Sequence, residues 1–184
     1  MRYLLILAPM ALAACNSGPS VEATNATAKE VAAKVTAAGA APRMSPGRWE
    51  GTATITDMQM PGMPAEMGEN MKAQMTKAHA FTNCLTPEEA AKPAADFFAG
   101  GNNSCVYDHF SMANGQLDAA MTCKGQGPGG AMNATMKGNF SSDSFQMAMT
   151  SKSAGTPGQP MTNITMSMKM EAKRVGECTG KEDS

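Results

Sequence analysis

Cys105 and Cys123 stand almost symmetrically about the dipeptide Asn114-Gly115, and this arrangement restricts the fold more than any other feature of the chain. Asn-Gly is the strongest short-range hairpin signal, because the favoured two-residue turn needs positive φ at both central positions. Cysteines at matched distances from such a turn face one another across the ladder. Four cysteines allow three pairings, and the hairpin favours Cys105 with Cys123, leaving Cys84 with Cys178. The second bridge would tie the final strand back toward the start of the fold. Closing a loop of that length stabilises by about 3 to 5 kcal/mol in the chain-entropy account. A four-thiolate zinc site is the competing use of these residues, but their spacing contains no C-x-x-C knuckle.

Period-2 alternation marks strands on both sides of the hairpin. In 49–56, Trp49, Gly51, Ala53 and Ile55 alternate with Glu50, Thr52, Thr54 and Thr56. In 162–175, Ile164, Met166, Met168, Met170 and Ala172 alternate with Thr165, Ser167, Lys169, Glu171 and Lys173. Further strands are expected at 77–85, 104–112, 116–124, 131–140 and 144–152. The intervening segments are mostly short and turn-forming, so consecutive strands should pair antiparallel as a meander. The fold class read from the sequence is α+β, mainly β. It has about seven antiparallel strands in a curved sheet or half-open barrel, with one helical segment after the second strand.

That helix is signalled by Thr86-Pro87-Glu88-Glu89, with Thr86 as N-cap, Pro87 at the first helical position and Glu89 reaching back in a capping box. Pro93 should stop or kink it, and Phe97 and Phe98 are the expected plug for the sheet's apolar face. Before it, Met58, Met60, Met63, Met67, Met71 and Met75 lie among Pro61, Gly62, Pro64 and Gly68. This stretch reads as a long loop or a helical turn near 67–75. Aromatics are 5% of the chain and methionine occurs 19 times, so flexible thioethers must do much of the packing that Leu, Ile and Phe usually do.

At the other end, Arg2 precedes an apolar run from Tyr3 that closes on Leu12-Ala13-Ala14-Cys15. A positive start, a short apolar core and small residues before the cut match a secretory signal, and the run is too short for a bilayer core of about 30 Å. The expectation is a signal peptide over 1–14, cleavage before Cys15 and lipidation of its thiol, as in bacterial lipoproteins. Residues 15–44, rich in Ala, Thr, Ser, Gly and Pro, read as the lipidated cysteine and a flexible linker, and 45–184 as a single disulfide-stapled domain. Asn16 behind Cys15 leans, by analogy with lipoprotein sorting, toward an outer-membrane anchor facing the periplasm. That compartment permits disulfides.

Pro46-Gly47-Arg48-Trp49-Glu50, the run from Met58 to Pro64, and Asn83-Cys84-Leu85-Thr86-Pro87-Glu88 together resemble the uncharacterised secreted proteins of Gram-negative bacteria grouped as domain of unknown function family 3617. The resemblance covers about 46–178, and Cys-Leu-Thr-Pro-Glu is its most specific element. It implies a periplasmic or lipoprotein location and a cysteine-bridged domain, and it brings no catalytic residue with it.

The formal net charge of −1 with 17% charged residues supplies no basic field for nucleic acid. The sequence has no nucleophile elbow, P-loop, dinucleotide fingerprint or zinc-protease helix. Only His79 and His109 are near-neutral bases, and Asp108-His109 on a regular strand would point to opposite faces. The reading is therefore a non-catalytic envelope protein without a cofactor, binding a small apolar ligand or another envelope protein. The alternative is a Cu(I) or Ag(I) protein using the methionines of 58–75, since thioethers select soft cations.

Overall fold

The computed structural model describes residues 18–91, 105–124, 130–153 and 163–182. Asn114 and Gly115 take φ of 52° and 75°, and between β4 (Cys105–Ala113) and β5 (Gln116–Cys123) they form the expected hairpin. Cys105 lies directly opposite Cys123 and is bonded to it. From there the meander continues through β6 (Met132–Phe140), β7 (Ser144–Ser153) and β8 (Thr165–Gly176), each antiparallel to the last.

The chain's earlier strands attach to both ends of this meander. β2 (Gly47–Gln59) pairs with β8, and β3 (His79–Leu85) pairs with β2. The Cys84–Cys178 bridge, 94 residues apart in sequence, therefore crosses over β2 and holds the edge strand β3 to the tail of β8. The two disulfides sit at opposite ends of the sheet, since Cys105–Cys123 is at the Thr27 end of the ladder and Cys84 is at the Gly47 end. Near Cys84, Trp49 is buried and donates its indole N–H to the Ser45 carbonyl at 3.1 Å. Arg174 donates to the Pro46 carbonyl at 2.6 Å and pairs with Glu177.

The largest correction to the sequence reading concerns 15–44. The segment expected to be a flexible linker folds from Ser20 onward. β1 (Ser20–Thr27) adds an eighth strand beside β4, and α1 (Ala28–Ala37) packs on the apolar face. Composition alone suggested too little bulk to order this stretch. However, Val31 and Val35 fall four apart and reach full burial against the sheet, in one cluster with Tyr107, Phe110 and Met112. Tertiary burial supplies what a short helix lacks in water. Thr27 caps α1, accepting from the Glu30 amide at 3.2 Å while Glu30 accepts from the Thr27 amide at 2.8 Å. Tyr107 and Phe110 meet edge to face at 5.4 Å, and burial raises the Tyr107 hydroxyl's pKa.

The resulting sheet is open, in the order β1-β4-β5-β6-β7-β8-β2-β3. Among the described residues there are three helical segments where one was expected. α3 (Pro87–Ala91) starts with the predicted capping box, Thr86 Oγ1 accepting from the Glu89 amide at 3.2 Å and Glu89 from the Thr86 amide at 3.0 Å. α2 (Ala65–Met75) realises the helical one of the two readings of this stretch, a long loop or a helical turn near 67–75. Cys15, Pro93, Phe97 and Phe98 lie outside the described residues.

A chain beginning at Ser45 lacks β1 and α1, which uncovers Phe110 and Tyr107. It is expected to lose a cooperative urea transition and to bind a hydrophobic dye; a wild-type midpoint would refute the role given to α1. Opening Cys84–Cys178 with a double Ser variant should cost about 4 to 5 kcal/mol by denaturant titration. Glu30 has its pKa lowered, first by the Thr27 backbone hydrogen bond. Its contribution is therefore present above the ordinary carboxylate range and lost as pH falls through its folded value. Glu30→Gln should accordingly destabilise at neutral pH, with a deficit that shrinks in acid.

Candidate functional site

Register places side chains from β6, β7, β8 and β2 in three parallel rows across one face. The first is Gly138, Met147, Met170 and Ala53; the second is Met136, Met149, Met168 and Ile55; the third is Ala134, Ser151, Met166 and Met58. Met58 joins this face because a bulge between Ile55 and Asp57 inserts Thr56 and reverses the alternation. Directly opposed residues in such a ladder have Cβ atoms about 4.5 to 5.5 Å apart, so these thioethers are mutual neighbours. Toward β1 the same face is sealed by α1. Met147, Met149, Met166, Met168 and Met170 are only half-buried, while Met58 and Met136 are buried. At one end of this half, Trp49, Phe145 and Phe140 form an aromatic strip with centroid spacings of 6.3 and 6.1 Å.

The six methionines of 58–75 are divided between the end of β2, the turn that follows it and α2. Met58 ends up 7% exposed at the close of β2, and Met60 and Met63 are half-buried in the turn that follows. Met67, Met71 and Met75 recur every four residues along α2 and are 54%, 37% and 38% exposed. The prolines and Gly62 do interrupt pairing, but 65–75 has helix-compatible residues and no proline. α2 is joined to the sheet by Lys72, whose Nζ lies 3.0 Å from Asp57. The Lys72 hydrogen bond, and then that of Gln59, lowers the Asp57 pKa.

The opposite face is polar. It carries two adjoining clefts of about 550 and 580 Å³, the first around Asp118, Lys137, Lys169 and Glu171, the second around Glu50, Thr82 and Lys173. Lys137 and Asp118 pair at 2.7 Å with both side chains largely exposed, an arrangement worth little in water. His79 on β3 and His109 on β4 lie near opposite edges of the sheet and are not brought together. A bulge between Tyr107 and His109 corrects the strand reading of Asp108-His109: both are exposed, because Tyr107 and Phe110 take the inward positions on either side of them. Asp108 accepts from the Thr122 hydroxyl at 2.8 Å. Among the described residues no group of three His, Cys, Asp or Glu is placed to hold a metal ion, and no helix is long and apolar enough to cross a membrane.

The methionine rows were missed as a site, although the alternation at 147–149 and 166–170 was visible in the sequence. Which strands lie side by side, and hence which thioethers meet, depends on the sheet order. Residues 44–178 match the model of a family described as protein of unknown function, DUF3617. No curated protein and no solved structure matches the chain.

Exposure predicts the order of methionine oxidation. With limiting hydrogen peroxide, peptide mapping should show sulfoxide first at Met67, Met71 and Met75, later at Met147, Met149, Met168 and Met170, and last at Met112 and Met136. Early oxidation of Met112 would contradict the packing described.

Proposed function

The chain belongs to the DUF3617 family of proteins of unknown function, and we propose that it is a non-catalytic, lipid-anchored envelope protein that binds a small apolar ligand on the methionine-lined half of its sheet. The observation that carries this reading is the contrast between the two halves of one apolar face. α1 closes the first half to full burial, whereas the second half presents half-buried methionines. Methionine is flexible and polarisable, so a surface built from it adapts to ligands of different outline. The aromatic strip from Trp49 to Phe140 bounds the surface at one end.

The anchor is Cys15, facing the periplasm and more consistent with the outer membrane than the inner. β1 begins at Ser20, five residues after Cys15, a distance along the chain of at most about 17 Å. The domain thus rides close to the membrane with β1's first residues nearest the bilayer. Ser20 lies opposite Ala113, beside the Asn114-Gly115 turn, so that turn faces the lipid. α2 follows the far end of β2 and sits away from it.

N-phenyl-1-naphthylamine, an apolar probe whose emission rises on burial, should bind the purified protein saturably. Met168→Glu should weaken that binding at least tenfold with the disulfides and far-UV spectrum intact, while Met168→Leu should preserve it, since such swaps conserve volume. Equal binding by the Glu variant would sink the site. In Triton X-114 phase separation the wild type should enter the detergent phase and Cys15→Ser the aqueous phase; identical partitioning would sink the anchor.

A further inference from the structure

Two directly opposed pairs, Met147 with Met170 and Met149 with Met168, sit two residues apart on the neighbouring strands β7 and β8. They form the corners of a rectangle whose sides follow from strand geometry, about 5 Å across the ladder and about 7 Å along it. Each Cβ is then about 4 Å from the common centre, a span that one three-bond thioether side chain and one metal–sulfur bond cover. The first pair is flanked by the small residues Gly138 and Ala53. All four methionines are half-buried, so the centre is partly shielded from water without being closed to an ion.

We infer that this quartet is a binding site for a soft monovalent cation, Cu(I) or Ag(I). Cys84, Cys105, Cys123 and Cys178 are consumed in disulfides, and among the described residues no carboxylate, imidazole and thiol cluster competes for harder ions. Thioether-only donors select Cu(I)-type ions over Zn(II) or Mg(II). A single positive charge is also the least costly to seat on an apolar face. Thioethers take up no proton in the physiological range, so affinity is independent of pH, unlike that of an imidazole or thiolate site. The quartet shares its face with the apolar-ligand reading but does not depend on it.

The test is native mass spectrometry of the purified full chain titrated with silver nitrate in chloride-free, thiol-free buffer. One silver ion per chain is expected, with the same half-saturation at pH 5 and pH 8. Met149→Leu with Met168→Leu should abolish the adduct while leaving both disulfides and the far-UV spectrum intact. Met67→Leu, Met71→Leu and Met75→Leu together should leave silver binding unchanged. No adduct with the wild type, an adduct surviving in the strand variant, or loss in the helix variant overturns the assignment. Silver binding without dye binding would overturn the apolar-ligand reading alone.

Discussion

The docking of Val31 and Val35 of α1 onto Tyr107, Phe110 and Met112 is the contact on which the rest of the structure depends. A single antiparallel sheet with one apolar face has nothing to bury that face against unless another layer covers it. Here the covering layer comes from residues 20–37, which also contribute the edge strand β1. The matched family region begins at residue 44, so this layer lies outside it. The sealed core is therefore assembled from a segment on one side of that boundary and strands on the other.

Covering only half the face has consequences for the other half. β7 and β8 carry methionine where a closed core would hold Leu, Ile or Phe, and those side chains remain half-buried. Loose, unbranched thioethers cost little stability at a partly open surface and keep it deformable. Rigidity is supplied at the margins instead. Cys105–Cys123 clamps one end of the ladder, Cys84–Cys178 fixes the β3 edge at the other, and the buried Trp49 anchors the start of β2. The deformable region is held inside a stiff frame.

Bulges set which side chains the frame presents. The extra residue at Thr56 moves Met58 onto the apolar face, and the one at Asp108 turns that residue and His109 outward together. Each is a single-residue event that reverses the period-2 alternation downstream. Strict alternation along the sequence therefore misassigned the face of Asp108 relative to His109, and it stopped the first predicted strand short of Met58.

Local chemistry in the sequence was sufficient for the hairpin at Asn114-Gly115, both disulfide pairings, the capping box at Thr86 and Glu89, the strands from Trp49 onward and the mainly β antiparallel class. Each of these rests on interactions between near neighbours, on a period that a strand imposes by itself or, for Cys84–Cys178, on what the hairpin pair leaves over. The tertiary structure alone decided that β2 pairs with β8, that residues 20–37 are core and not tether, and that the methionines meeting one another lie on β2, β6, β7 and β8. Those outcomes depend on burial against residues distant in sequence. A helix of ten residues such as α1 is marginal by itself and becomes stable only when an existing apolar sheet face removes its valines from water.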